Sequence, residues 1–302
     1  MVPHGHNEAG DPAAVLLLID GHAHAYRAFH AIRNLTGPDG APTNALFGFV
    51  KAVEKLLGTW QPTHVAGVWD GGLAEERTAV LPGYKANRPP MPDALAAQMD
   101  GLMEWLEARG CLSLCQNGVE ADDWIARLAA VGRENGARVL ISTSDKDFMQ
   151  LVSEDVQLIN PADRDGVPTD PAAVRTRTGV EPAQIVDWLS LVGDSVDNIP
   201  GVPGVGPKTA AALLQQFGTC EAVYSGLREV APERVRQALE IAREDVVRNQ
   251  ALVRLDPSVG QHVPWADLQL KPSDSARLGG LYERWGFRSL RRAVQPEQGV
   301  LL

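Results

Sequence analysis

Cysteine, basic residues and long apolar runs are all scarce in this sequence of 302 residues. Its three cysteines form an odd, sparse set that argues against a disulfide framework and fits a reducing cytoplasm. No apolar run reaches the roughly 18 residues that cross a bilayer, and the first residues lack a basic region followed by an apolar stretch. The sequence therefore predicts a cytoplasmic protein without a membrane segment, with a disordered tail at residues 1–13.

The net charge of −10 is a further constraint. Proteins that bind nucleic acid are usually basic, so an acidic chain argues against that class. The objection weakens if the acids are clustered, because carboxylates that hold metal ions do not face a ligand as bare negative charge. The positions of the acids are therefore more informative than their number.

Histidine is also sparse, with seven residues in all. His22 and His24 lie one residue apart just after an apolar run, a pattern that suggests a zinc site. A zinc amidohydrolase that uses this pair is one hypothesis. That class needs further histidines after later strands, and neither His64 nor His262 lies in a strand-end motif, so the hypothesis has little support.

Residues 14–160 alternate between strand-like and helix-like patterns, which predicts a domain at 14–180 with a parallel sheet covered by helices on both faces. The predicted strands are 15–19, 64–69, 111–115, 138–142 and 156–159. The predicted helices are 43–58, with Gly58 as a stop, 93–109 and 120–134. From about Pro182 the strand pattern fades, so residues 181–302 are expected to form a second, helical subdomain.

Acidic residues recur where the predicted strands end and the helices begin. Some lie three apart, so that they can share one face of a helix. Because the carboxyl ends of parallel strands lie along one edge of a sheet, separate segments are expected to deliver these carboxylates to one crevice. The acids are Asp20, Asp70, Glu120, Asp122, Asp123, Asp145, Asp147, Asp194 and Asp197.

So many carboxylates cannot share a small volume without strong mutual repulsion. Divalent cations remove the repulsion, and oxygen-only ligands select Mg²⁺ or Mn²⁺ over zinc. Two such ions about 4 Å apart suit phosphodiester hydrolysis, in which one activates water and both stabilise the pentavalent phosphate. A competing interpretation, strongest for Asp123 or Asp147 taken alone, is that the acid only caps a helix N-terminus.

Residues 81–92, "LPGYKANRPPMP", form a basic segment between glycine and prolines. Lys85 and Arg88 face the same side if this turn is helical, and there they could hold the scissile phosphate. Tyr84 could stack on a base. The alternative is a solvated surface loop, and the neighbouring acids favour the functional interpretation.

The segment "GVPGVGPKTAAALL" begins at Gly201 and is rich in glycine. It is only superficially a P-loop, because Pro207 precedes the lysine and no strand comes before it. A tight turn between two helices is the better interpretation, with glycines and helix N–H groups close to a nucleic-acid phosphate. The residues expected to make these contacts are Gly201, Gly204, Gly206, Lys208 and Thr209.

Together these motifs resemble the bacterial 5′-nuclease family, namely the 5′→3′ exonuclease domain of DNA polymerase I and its stand-alone and flap-endonuclease relatives. The matching segments run in family order and cover nearly the whole chain, from about Val15 to Leu290. They are "LLIDGHAHAYRAFHA", "WD" at 69–70, "GYKANRPPMP", "VEADD", "STSDKDFMQL", "GDSVDNIPGVPGVGPKTA" and "YERWGFRSL".

The resemblance implies a PIN-like α/β nuclease core with a mostly parallel sheet, and a helical subdomain that contains a helix–three-turn–helix DNA-binding element at about 184–217. It implies that the nine acids hold two Mg²⁺ or Mn²⁺ ions, some of them through water. An arch at about 77–99 would admit the 5′ end. The turn at 201–208 would grip the duplex backbone, commonly with a bound K⁺.

The same resemblance assigns roles outside the acids. Lys85 and Arg88 match a basic pair beside the scissile phosphate. Tyr26 and Tyr84 match positions near the end of the DNA, and Arg27 follows Tyr26 on a helix that is expected to meet the DNA.

The implied function is that of a structure-selective 5′ nuclease, both exonuclease and flap endonuclease, acting on 5′ ends, flaps or gaps in replication and repair. RNA primer–DNA hybrids are included among the expected substrates. The chain ends soon after "RSLRRAV", so a stand-alone monomer or an excised domain is expected, working with a separate DNA polymerase and ligase. The alternative is a non-catalytic protein that binds branched DNA. The intact acid set argues against it, because mutually repelling carboxylates are costly.

Overall fold

The computed structural model describes residues 14–163 and 166–294, so the tail predicted at 1–13 lies outside the described residues. The strands are β1 Val15–Asp20, β2 His64–Trp69, β3 Leu112–Cys115, β4 Arg138–Ser142 and β5 Val156–Ile159. The α-helices are α1 Gly21–Ala31, α2 Asn44–Trp60, α3 Glu75–Val80, α4 Asp93–Ala108, α5 Ala121–Glu134, α6 Pro171–Thr178, α7 Ile185–Val192, α8 Pro207–Phe217, α9 Cys220–Ser225, α10 Glu233–Ile241, α11 Arg243–Val253, α12 Ser275–Arg284 and α13 Arg288–Val294. Short 3₁₀ helices cover Lys146–Leu151, Pro182–Gln184, Leu227–Glu229 and Trp265–Leu268.

The five strands form one sheet in the order β3-β2-β1-β4-β5, and every neighbouring pair is parallel. The central strand β1 is a continuous apolar run, and its residues 16–19 are completely buried. A strand without polar alternation needs helices on both faces of its sheet, which is what the structure has. The predicted α/β class with a parallel sheet is therefore confirmed.

Two apolar cores lie on opposite faces of the sheet. One is built around Trp124 and Phe148 and continues into the helices that follow residue 180. The other contains Phe49, which stacks on Trp69 with ring centroids 5.7 Å apart and meets the edge of Trp105 at 6.1 Å. Aromatic pairs at such distances add to the free energy that burial alone provides.

The predicted end of α2 is wrong. The helix does not stop at Gly58 but continues to Trp60, and it ends at Gln61, whose φ of 44° is left-handed. Gly58 lies on the exposed side, and a Cβ at this position would meet no atom within 4 Å. A glycine in an exposed helix interior is tolerated at a cost of about 1 kcal/mol, so it is not by itself a stop signal.

The C-terminal helices do not form one separate helical layer. Apolar residues of α12 recur at the helical spacing of Leu278, Leu281 and Tyr282, and this stripe packs on the nuclease core beside α4. The Trp105 indole donates a hydrogen bond to the Tyr282 hydroxyl (2.9 Å). Part of the region predicted as one subdomain at 181–302 therefore packs on the nuclease core, since periodicity identifies an apolar stripe but not the surface that the stripe covers.

Among the described residues, no helix combines the length and the apolarity needed to cross a bilayer.

Candidate active site

The sheet places the site where the strand order reverses. The chain continues from β1 to β2 on one side of β1, whereas β4 lies on the other side. A crevice forms outside the carboxyl ends of the strands at such a switch point. Asp20, at the end of β1, accepts a hydrogen bond from the hydroxyl of Thr143, which follows β4 (2.8 Å). This bond joins the two strand ends that form the crevice.

A cavity of about 740 Å³ lies at this edge of the sheet. Acids contribute much of its lining, and His22, Tyr26 and Arg88 border it as well. Six of the nine predicted carboxylates are therefore brought together by the fold. They are Asp20, Asp70, Asp122, Asp145, Asp194 and Asp197.

Asp20 and Asp70 are each held by the N-terminus of a helix. Oδ1 of Asp20 accepts the N–H of Ala23 (3.0 Å) as the N-cap of α1. Oδ1 of Asp70 accepts the N–H of Ala121 at the start of α5 (2.9 Å), and its own N–H donates to Nδ1 of His22 (3.1 Å). Helix capping and cavity lining are therefore not alternatives here, because the same carboxylates do both.

Asp145 rather than Asp147 is the cap of the 3₁₀ helix after β4, since its Oδ1 accepts the N–H of Asp147 (2.9 Å). Carboxylate oxygens of Asp147, Asp194 and Asp197 all lie within 4.8 Å of one another. Oδ1 of Asp147 is buried and has no hydrogen-bond partner among the described residues. A buried acceptor without a donor is costly, so this oxygen is suited to a cation.

Burial and mutual repulsion raise the pKa of several of these carboxyl groups. Burial raises the pKa of Asp20 to about 6, against hydrogen bonds that lower it, and repulsion from Asp145 adds to the rise. Burial, followed by repulsion from Asp145, also raises the pKa of Asp122 and of Asp147 well above the ordinary range. A positive charge among these groups would lower the free energy of their ionised forms.

Glu120 and Asp123 were predicted in the acid crevice but do not line this cavity. Nη1 of Arg77 donates to both carboxylates (2.8 Å each), and its Nη2 donates to Asp123 (2.7 Å). The spacing of three does put the two acids on one face of α5, but that face meets Arg77. Asp123 does not cap α5 either, because its remaining donor is the N–H of Asp256 (2.8 Å).

The basic segment at 81–92 is a turn, and only Arg88 of its predicted pair lines the cavity. The Lys85 ammonium is buried and donates to Oε2 of Glu120 (2.8 Å), while Asp122 lies 3.9 Å away. Tyr84 is 4% exposed and its hydroxyl donates to Glu120 (3.2 Å), so it belongs to the core and is not free to stack on a base. Burial by itself would raise the pKa of Glu120. Lys85 and Arg77 outweigh that effect and hold the pKa below its ordinary range.

The segment predicted as an arch, 77–99, is anchored at both ends. Arg77 is held by its ion pairs, and Gln98 accepts the N–H groups of Ala45 and Leu46 at the start of α2 (2.9 and 3.2 Å). The longest exposed run of the segment is 86–90, which contains Arg88 and the two prolines after it.

The two predicted DNA contacts on α1 have different surroundings. Tyr26 is half-buried, borders the cavity and stacks on His30 with ring centroids 6.4 Å apart. Arg27 is exposed and does not line the cavity.

The glycine-rich turn joins α7 to α8, as expected for two helices linked by a tight turn. Gly201 is required by close approach, because a Cβ there would lie 2.1 Å from the carbonyl oxygen of Val192. The Trp188 indole donates to the carbonyl of Pro207 (3.1 Å) and fixes α7 against the start of α8. The remaining predicted contacts lie at or near the surface, separate from the acid cavity: Gly204, Gly206, Lys208 and Thr209.

Three further side chains at the cavity were not predicted from the sequence. Lys146 borders the cavity and pairs with Asp194 (3.0 Å), and Arg177 of α6 also borders it. Thr143 orients Asp20. Lys146 lies within "STSDKDFMQL", so its motif was visible, whereas nothing near Arg177 in the sequence marks it.

The histidine pair does not form a zinc site. Nδ1 of His22 accepts from the N–H of Asp70, while the His24 ring is buried with Nε2 2.9 Å from Oγ of Ser142. Burial lowers the pKa of His24 to about 4, so the ring is neutral at physiological pH. The two rings have different partners, and both hold the chain in place beside the acids.

Solved structures show that this fold is found in nucleases. A T5 5'-exonuclease with bound zinc is similar at a TM-score of 0.69 and 19% identity, over 93% of this chain and 98% of that one. The catalytic core of Rad2 in complex with DNA substrate is similar at a TM-score of 0.61 and 16% identity, over 94% of this chain and 93% of that one. The protein has the fold of a 5′-nuclease, with an acid-lined cavity at its sheet edge.

The chain belongs to the 5'-3' exonuclease family. The family's N-terminal resolvase-like domain matches residues 15–179, and its C-terminal SAM fold matches residues 180–276. A 5'-3' exonuclease of Aquifex aeolicus is 36% identical over 92% of this chain and 94% of its own length. DNA polymerase I of Mycobacterium leprae is 38% identical over 92% of this chain, which spans 31% of that relative. The family predicted from the motifs is confirmed.

Proposed function

We propose that the protein hydrolyses phosphodiester bonds in DNA at 5′ ends and 5′ flaps, as a structure-selective exonuclease and endonuclease in replication and repair. The observation that carries this proposal is the cavity in which carboxylates from five separate segments face Arg88. Such a cavity combines groups that bind divalent cations with a guanidinium that binds phosphate.

The carboxylates fit divalent cations of the Mg²⁺ or Mn²⁺ type, because every donor in the set is an oxygen. One ion would be held by Asp147, Asp194 and Asp197, whose oxygens lie close together and include the unpartnered Oδ1 of Asp147. A second would be held by Asp20, Asp70, Asp122 and Asp145. When bound, such ions activate water and stabilise the charge that develops on phosphate.

The basic residues would act beside these carboxylates. Arg88 pairs with Asp197 and its side chain remains 39% exposed at the cavity wall, so its guanidinium can bind a phosphate oxygen. Lys85 would act indirectly, by neutralising Glu120 and lying 3.9 Å from Asp122. Tyr26 would stack on the terminal base at the cavity rim.

The α7–α8 turn would bind the duplex backbone with its glycines, Lys208, Thr209 and a K⁺ ion, independently of sequence. The substrates would be DNA with 5′ ends, flaps or gaps, together with RNA primer–DNA hybrids. In this proposal the protein acts as a monomer, together with a separate DNA polymerase and ligase. Its three free cysteines fit the reducing cytoplasm.

Cleavage of a labelled 5′-flap DNA in Mg²⁺ tests the proposal. We expect the intact protein to release short 5′ products, Asp145→Ala to release none, and the control Glu244→Ala on the exposed side of α11 to match the intact protein. Full activity in Asp145→Ala would contradict the assigned site. Tight flap binding without cleavage in either Mg²⁺ or Mn²⁺ would instead show a non-catalytic DNA-binding protein.

A further inference from the structure

Asn198 joins the turn at 83–88, which contains Lys85 and Arg88, to the loop at 194–199, which contains Asp194 and Asp197. Its Nδ2 donates to the carbonyl of Gly83 (2.7 Å), and its Oδ1 accepts from Nδ2 of Asn87 (2.9 Å). The backbone beside it makes a third connection, from the N–H of Lys85 to the carbonyl of Asp197 (3.0 Å). One asparagine thus spans two irregular segments that lie more than one hundred residues apart in sequence.

The position is demanding for the backbone as well. Asn198 has a φ of 58°, in the left-handed region that asparagine tolerates better than most residues. Gly83 leaves room for its amide, because a Cβ at Gly83 would lie 2.9 Å from Nδ2 of Asn198. The backbone conformation of Asn198 and the absence of a side chain at Gly83 are therefore both needed for this contact.

We propose that Asn198 is a positioning residue that holds Arg88 and Asp197 in one fixed arrangement at the cavity wall. The inference rests on the proposed nuclease function. The turn at 83–88 lies in no helix or strand, and the loop at 194–199 is closed at its ends by an isolated β-bridge between Asp194 and Ile199 that does not reach across to the turn. The Arg88–Asp197 ion pair is itself partly exposed, and such a pair fixes geometry weakly without further support.

Loss of this support would displace the phosphate-binding guanidinium relative to the carboxylates. A displacement of about 1 Å can lower a rate 10²-fold when reacting groups must be aligned. The expected effect therefore falls on catalysis and on divalent-ion affinity, more than on the folded state.

Asn198→Gly is the informative variant, because glycine adopts a positive φ freely and only the two side-chain hydrogen bonds are lost. Asn34→Gly is its matched control, since Asn34 has the same φ of 58° and lies exposed, outside the cavity lining. Both variants would be compared in urea unfolding, in Mn²⁺ binding by calorimetry without DNA, and in steady-state cleavage of 5′-flap DNA. Asn87→Ala, which removes one of the two bonds, would be measured beside them.

We expect Asn198→Gly to lower kcat/KM about 10- to 100-fold and to weaken Mn²⁺ binding, with an unfolding midpoint close to that of Asn34→Gly. Asn87→Ala should be intermediate. Equal kcat/KM and equal Mn²⁺ affinity in the Asn198 and Asn34 variants would overturn the proposal, as would a loss of activity that merely follows the unfolded fraction. If the intact protein cleaves no DNA, the proposed function fails, whereas the Mn²⁺ comparison still decides the role of Asn198.

Discussion

Arg77 offers the sharpest test of how the buried charges are arranged. Its guanidinium donates to Glu120, to both oxygens of Asp123 and to the carbonyl of Arg254 (3.0 Å). The side chains of Glu120 and Asp123 are only 1% and 5% exposed. Replacing Arg77 with Met would therefore leave two carboxylates in the protein interior without their shared cation.

The loss falls mainly on Asp123. Glu120 keeps its bonds from Lys85 and Tyr84, whereas Asp123 keeps only the N–H of Asp256. Removing one partner of a buried ion pair costs about 3–5 kcal/mol, because the other charge stays buried and uncompensated. We expect Arg77→Met to lower the free energy of unfolding by that amount. The double variant Arg77→Met/Asp123→Leu should recover at least half of it, since neither charge then remains.

Urea unfolding with linear extrapolation measures these changes. Arg175→Met is the control, because its pair with Glu181 (3.0 Å) is about half exposed on both sides and should contribute less than about 1 kcal/mol. Asp123→Asn should keep most of the nuclease activity of the folded protein. A loss of less than 1 kcal/mol in Arg77→Met would refute the reasoning. So would a collapse of activity in fully folded Asp123→Asn, because that would return Asp123 to the metal-binding set.

Two further predictions concern pH. Burial lowers the pKa of His24 to about 4 from the usual 6.5. As the pH falls, this histidine is therefore protonated in the unfolded chain before it is protonated in the folded protein. The free energy of unfolding should therefore fall by about 3 kcal/mol as the pH drops from 6.5 to 4. Urea unfolding should show no such fall in His24→Asn, whereas the control His262→Asn on the surface should show the same fall as the intact protein. The effect of Asp20 on stability has the opposite pH dependence, because burial raises its pKa to about 6 from 3.8. Without metal, stability should therefore fall as the pH rises from 3.8 to 6, and the loss is complete above that range. We expect Asp20→Asn in EDTA at pH 7.5 to be more stable than the intact protein by about 1–3 kcal/mol, and to be inactive. Lower stability of Asp20→Asn would contradict a destabilising effect of the buried Asp20 charge.

The strands and most helices could be predicted because their signal is local. The apolar run of β1 and the alternation of strands and helices specify a parallel sheet, and such a sheet places its crevice at the carboxyl ends of the strands. The end of α2 was predicted wrongly because an exposed glycine is tolerated inside a helix. The surface that a helix such as α12 covers depends on distant partners, such as Trp105 for Tyr282.

The acids of the candidate site were predictable as a group but not one by one. Asp122 and Asp123 are adjacent, and the sequence treats them alike. On α5 their side chains point to different sides, and Arg77 occupies one side while the cavity occupies the other. Tyr84 and Lys85 were likewise expected at the DNA, but Glu120 binds both in the interior.

The sequence by itself determined the class of fold, the family and the set of residue types that the site contains. These depend on periodicity and on motifs, which are properties of neighbouring residues. Tertiary structure alone decided which carboxylates share the cavity, which cations border it, and that Asn198 joins two loops. Those facts depend on contacts between segments 35 to 123 residues apart. Local propensity carries no information about such contacts, because burial and partner choice are settled only when the whole core packs.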